Sequence, residues 1–110
     1  MTDKIVLFVT CAGPEEARRI ATHLIESRLA ACVNLLPPVR SIYHWKGAIE
    51  EGEETLMIIK SARPVFEQLK AAIIRLHSYE VPEIIALPIV DGSAPYLAWM
   101  DHELTRQESE

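Results

Sequence analysis

Glycine, cysteine and long apolar runs are all scarce in this chain, and each shortage removes a class of function. The four glycines, Gly13, Gly47, Gly52 and Gly92, never fall in a Gly-x-Gly spacing. A backbone cradle for nucleotide phosphates is therefore unsupported, and no organic cofactor is expected. Two cysteines, Cys11 and Cys32, are too few for a disulfide-stapled scaffold, and they lack zinc-finger spacing. The longest apolar stretch is a handful of residues such as Ile5 to Val9, against the roughly 20 that cross a bilayer, so no membrane span is expected. Met1 to Lys4 lack the basic start that leads a secretory signal, which makes the cytoplasm the expected location. Basic residues are also in deficit. Eleven Lys and Arg against 16 Asp and Glu leave a net charge of -5, which disfavours a nucleic-acid partner.

The common catalytic signatures are missing as well. There is no Gly-x-Ser-x-Gly, His-Glu-x-x-His or Cys-x-x-Cys, and no acid–base pair or nucleophile constellation can be assembled from the motifs, so a catalysed reaction is not expected.

What is present is one domain spanning residues 1–110, with 49% hydrophobic residues and a polar tail from about 105. Lys4 to Cys11 is β-branched and apolar on both sides, as in a central strand. Gly13-Pro14-Glu15-Glu16 is a helix start, with a proline for the first helical position and carboxylates for the positive end of the dipole. Ala17, Ile20, Ala21, Leu24 and Ile25 then mark one helical face. Ala30 to Leu36 and Val39 to Trp45 read as strand interrupted by Pro37-Pro38, and after a turn at Lys46-Gly47 a return strand runs from Ala48 to Ser61. Pro64 opens a second helix carrying Phe66, Leu69, Ile73 and Leu76. Ile84 to Val90 reads as the last strand, and a terminal helix presents Leu97, Met100 and Leu104.

Strand, helix, strand, strand, helix, strand and a terminal helix make the α+β, ferredoxin-like split βαβ arrangement (βαββαβ plus a C-terminal helix), an antiparallel sheet with helices on one face and a long β-hairpin. Ala31 to Trp45, extended at ~3.3 Å per residue, would reach about 50 Å, whereas a compact domain of this size is only ~34 Å across. The hairpin is therefore expected to overhang, and its Ile42, Tyr43 and Trp45 to require a second subunit, unless Pro37-Pro38 folds it back on its own sheet.

Several residues carry alternative readings. Cys32 reads as a buried thiol between strands or a metal ligand, and Cys11 as a core residue or a thiolate favoured by the following helix start. His77, followed by Tyr79, Glu80 and Glu83, reads as a ligand cluster or as a helix cap with Glu83 in an ion pair. The glutamates at 50, 51, 53 and 54 read as a solvated strand face.

Leu29-Ala30-Ala31-Cys32-Val33-Asn34, Ser41-Ile42-Tyr43-His44-Trp45-Lys46-Gly47, Ile59-Lys60, His77 through Pro88 and Tyr96-Leu97-Ala98-Trp99 together resemble the CutA divalent-cation tolerance proteins. The resemblance spans almost the whole chain. It implies a homotrimer similar to the nitrogen-regulatory PII proteins, tolerance of copper and other divalent metal ions, and metal ligands at Cys32, His77 and Glu83. It also implies a cleft between subunits lined by Tyr43, Trp45, Lys60, Tyr79, Tyr96 and Trp99. Cys11 has no counterpart in the family pattern, and Ser78 stands where proline is usual. A second reading, by analogy with the PII architecture and supported by Lys60 and Arg63, is a signalling adaptor that takes a small anionic ligand in that cleft.

Overall fold

Alternation along the first strand sets the layering of the molecule. The structure, a computed structural model, describes residues 2–104. In β1 (Lys4–Cys11) the side chains of Ile5, Leu7, Val9 and Cys11 are buried, while Val6 and Phe8 on the opposite face stay half-buried. α1 (Pro14–Glu26) begins with Pro14 in its first turn and buries Ala17, Ile20 and Leu24. α2 (Phe66–Leu76) buries Leu69, Ala72 and Ile73. Both helices cover Ile5, Leu7, Val9, Met57 and Ile59 in one core, where each fully buried aliphatic side chain stabilises by about 1.5–3 kcal/mol.

β4 (Ala48–Ala62) organises the sheet. Its inner half pairs antiparallel with β1, from Lys4 opposite Ala62 to Cys11 opposite Thr55, and with β2 (Cys32–Leu35), where Cys32 faces Lys60. Its outer half pairs with β3 (Val39–Trp45). β5 (Ile85–Pro88) closes the other edge against β1, giving the order β2-β4-β1-β5. This is the ferredoxin-like arrangement, with its second strand split into β2 and β3 at Pro37-Pro38. The prolines do not fold the hairpin back. β3 stays on β4, and the molecule extends 48 Å along its long axis against 27 and 23 Å across it. At the tip Lys46 (φ 53°) and Gly47 (φ 83°) both take positive φ, as a two-residue type I′ turn requires.

Several boundaries differ from the sequence reading. β2 starts at Cys32, not Ala30, because the N–H groups of Leu29 and Ala30 both donate to the Leu24 carbonyl and close α1. Pro64 sits in a 3-10 turn, Arg63–Val65, and α2 proper starts at Phe66. β5 ends at Pro88: the Ile89 N–H still donates to the Lys4 carbonyl, but the Thr2 hydroxyl accepts the Lys4 N–H and donates to the Ile89 carbonyl, so the next ladder pair does not close. α3 (Ala94–Glu103) packs Met100, with Leu104, against Ala31 and Ala62 in a second, smaller cluster. Lys4 Nζ reaches Asp101 of this helix at 3.4 Å. Lys4 and Ala62 lie on the face away from α1 and α2, so α3 covers one end of the otherwise open side of the sheet. The polar tail expected from about 105 lies outside the described residues. Among the described residues no helix is long and apolar enough to cross a membrane.

Candidate functional site

The segment after α2 is held by two side chains. His77 is buried, its Nε2–H donates to the Thr10 carbonyl at 2.7 Å, and its Nδ1 accepts the Tyr79 N–H at 3.0 Å. Glu16, in the first turn of α1, accepts the Ser78 N–H at 2.6 Å on Oε2, and on Oε1 the Ser78 hydroxyl at 3.0 Å and the Ala12 N–H at 3.3 Å. Glu16 Oε2 also lies 3.6 Å from His77 Nδ1. Burial pushes the Glu16 carboxyl up, but the Ser78 bonds, with His77 and Ala12 adding, outweigh it and hold the group below the usual carboxylate range. Such a group stabilises the fold fully above its unfolded value of ~4.3 and ceases to do so as pH falls through its folded value. Glu16→Gln is therefore expected to cost about 2 kcal/mol at neutral pH, the contribution of hydrogen bonds to a charged acceptor. It should also flatten the acid limb of stability measured as urea midpoints across pH. An acid limb identical to wild type would rule Glu16 out as its source.

The pinned segment forms one wall of a cleft of about 630 Å³. Tyr43 and Trp45 of β3 face Tyr79, Glu80 and Glu83 across it, with Thr10 and Glu54 between. The Tyr79 hydroxyl donates to Glu54 Oε2 at 2.7 Å. Burial, and then that carboxylate, push the hydroxyl well above its ordinary range, so it remains a donor.

Of the residues singled out in the sequence, Tyr43, Trp45, Tyr79 and Glu83 meet here. His77 stands behind them with both ring nitrogens engaged. Lys60 lies elsewhere, donating to Asn34 Oδ1 at 2.5 Å beside Cys32. Tyr96 and Trp99 stack on each other along α3, ring centroids 5.5 Å apart. Cys32 sits opposite Lys60, whereas Thr10, which holds His77, sits opposite Leu56. Four residues of strand, about 13 Å, separate those two positions on β4. Among the described residues no group of three or more His, Cys, Asp and Glu side chains converges on one point.

The alternative readings are modified too. The His77 ring bonds across to β1 rather than capping its own helix. Glu83 has no ion-pair partner among the described residues. Within the glutamate run, Glu51 and Glu53 flank Arg40 at 3.4 and 3.5 Å, while Glu54 turns into the cleft. Cys11 is a core residue. Its thiol contacts Met57 Sδ at 3.4 Å, and burial, helped by Glu16 and Glu54, pushes it up to about 12. Alkylation of Cys11 should therefore wait for unfolding, which iodoacetamide mass mapping across a denaturant series checks. Modification of Cys11 in native buffer would contradict this packing.

Sequence reasoning missed Thr10 altogether and gave Glu16 only a role at the helix dipole. The one signal for Glu16 was Ser78, whose N–H a proline would lack.

The family described as CutA1 divalent ion tolerance protein matches residues 5–103. This chain belongs to that family. It is similar to mouse Protein CutA, with 48% identity over 102 residues covering 93% of this chain and 57% of the mouse protein. It is also similar to the divalent-cation tolerance protein CutA of Thermus thermophilus, with 46% identity over 86% of this chain and 92% of that protein. The chain thus spans little more than half the length of its curated mammalian relatives. Among solved structures, the divalent cation tolerance protein from Thermus thermophilus superposes with a TM-score of 0.91 at 43% identity over 93% of this chain and 99% of that one. CutA1 from Oryza sativa gives a TM-score of 0.91 at 38% identity over 96% of this chain and 95% of that one. Against the CutA pattern, Ser78 supplies an N–H where the resemblance implies proline, and Glu16 takes it up.

Proposed function

We propose that this CutA1-family chain acts in the cytoplasm as a homotrimeric divalent-cation tolerance protein that binds or responds to copper and other divalent metal ions, with no catalysed reaction. The observation that carries the assembly is the open face of the sheet. There Phe8 and Ile58 are half-buried, and Ile85 (49% exposed) and Leu87 (41%) stand free beside them. The overhanging hairpin adds exposed Ile42 and Ile49. Contiguous apolar surface of this kind marks an interaction site, and symmetric closure with further copies is the usual way to cover it.

The residues of one chain do not fit a metal ion. Both His77 nitrogens are committed, and Cys32 and Glu83 lie on different parts of the fold. Cys32 is a partly exposed thiol on the open face, and thiolate suits copper(I), so the metal is held by groups from more than one chain. A small anionic ligand in the cleft is disfavoured, because the cleft presents Glu54, Glu80 and Glu83 and no Lys, Arg or His. The amine of Lys60, once expected there, is bound to Asn34.

Native mass spectrometry under reducing conditions, with and without copper, tests this function. The expected result is a trimer that takes up copper in steps and loses them in Cys32→Ser. A monomer, or uptake indifferent to Cys32→Ser, would overturn the reading.

A further inference from the structure

We propose that α3 is a strap over the Cys32 thiol, latched at its C-terminal end by Arg28, and that the thiol is reached by local release of this strap. The purpose of such a strap rests on the metal reading, in which Cys32 holds copper, whereas its motion is tested without metal.

α1 ends in a Schellman closure, in which the Leu29 N–H donates to the Leu24 carbonyl and the Arg28 N–H to the Ile25 carbonyl. That closure puts Arg28 in the left-handed region at φ 59°, a conformation glycine adopts without steric cost. An arginine held there against its backbone preference points to a role for its side chain. The guanidinium donates to the Glu103 carbonyl at 3.1 Å and to Glu103 Oε1 at 3.3 Å. Glu103 is the last residue of α3, so this carbonyl is one the helix leaves unpaired, and the cation also meets the negative end of the helix dipole. Lys4 Nζ, 3.4 Å from Asp101, is a second tie on the same turn. Before α3, residues 89–93 have no regular structure.

Strand register decides what lies under that latched end. The Leu36 N–H bonds the Leu56 carbonyl, and bonded pairs recur at every second residue of an antiparallel ladder, so Cys32 and Lys60 also form a bonded pair. The Ala31 N–H donates to the same Lys60 carbonyl at 2.8 Å. Ala31 and Cys32 thus oppose one residue together, as a β-bulge. Ala31 packs under Met100 and Leu104. Cys32, half-buried, follows at the margin of that contact, and Lys60 opposite it is engaged by Asn34. Release of the latch lifts the last turn of α3 from the bulge and uncovers the thiol. Local openings of this kind are far more frequent than global unfolding. The chain carries its own reference for the difference, because Cys11 is fully buried beneath α1 and α2.

The test is alkylation of the full chain by iodoacetamide in native buffer, with each cysteine followed by peptide mass mapping. Arg28→Gly removes the latch but suits the left-handed position, so α1 keeps its closure. Cys32 should then react about three to five times faster, the range for loss of an exposed ion pair, while Cys11 stays unmodified. Arg28→Lys, which keeps the charge without the planar fork, should fall between wild type and Arg28→Gly. Adding Asp101→Asn to Arg28→Gly removes both ties and should raise the rate about tenfold. Three results would overturn the proposal: Cys32 rates in these variants equal to wild type; Cys11 and Cys32 accelerating together, the mark of global unfolding; or a Cys32 rate that follows protein concentration and ignores Arg28→Gly, which would make other copies of the chain the guard. Copper uptake measured alongside separates the two readings. A wild-type chain that takes up no copper would overturn the metal reading and leave the strap, and unchanged Cys32 rates would overturn the strap and leave the metal reading.

Discussion

Replacing His77 by alanine is expected to destabilise the protein by about 3 kcal/mol. The imidazole is buried, so its removal leaves a cavity. The Thr10 carbonyl and the Tyr79 N–H also lose their partners, and an unsatisfied buried polar group costs about 1–3 kcal/mol. Denaturant midpoints at constant m-value measure the loss. His77→Gln, which keeps a donor and an acceptor on one side chain, should recover part of it. Copper uptake per chain should survive in both variants at temperatures where they remain folded. The opposite pattern, wild-type stability with lost copper uptake, would make His77 a metal ligand and not the brace of its loop. The experiment therefore separates the role implied by resemblance from the role the hydrogen bonds support.

The second large effect is expected at the open face of the sheet. Leu87→Asp should turn the proposed trimer into monomers, a threefold fall in native mass. Leu87 is 41% exposed in the single chain, so the change should cost the subunit itself about 1 kcal/mol, the centre of the range for point substitutions. Buried against another copy, the new carboxylate would cost several kcal/mol. Unchanged far-UV circular dichroism with reduced mass is the expected combination, and a persistent trimer would show that this face is not the interface. Trp45→Ala at the hairpin offers an independent check. In the proposed assembly the half-exposed indole is covered by another copy, so its loss should appear as dissociation on dilution.

Much of the scaffold was legible in the sequence. The run from Lys4 to Cys11, the proline-led helix starts and the Lys46-Gly47 turn act through local sterics and through periods of 2 and 3.6 residues. Their physics is contained within a few consecutive positions. The overhang followed from simple chain length. Boundaries moved where a hydrogen bond outside the regular ladder intervened, as when the N–H groups of Leu29 and Ala30 turned back to the Leu24 carbonyl, or when the Thr2 hydroxyl took up the Lys4 N–H and the Ile89 carbonyl at the end of β5.

The candidate site was legible only in pieces. Tyr43, Trp45, Tyr79 and Glu83 were identified by resemblance, but Thr10 and Glu54 carry no local signature. One reads as an ordinary strand threonine and the other as part of a charged run. Cys32 and His77, suggestive together as residue types, are kept apart by the register of β2 and β1 on β4.

The sequence by itself determined the element order, the split antiparallel sheet, the protruding hairpin and membership of the CutA1 family, because each depends on short-range pattern or on the string of residues itself. Only the tertiary structure decided which groups meet. Ser78 binds Glu16 from 62 positions away, His77 binds Thr10 across 67, and Tyr79 binds Glu54 across 25. Those contacts are set by strand register and by how the helices cross back over the sheet. No local spacing encodes them, and they place His77 as a brace of its loop and line the cleft with acidic and aromatic side chains.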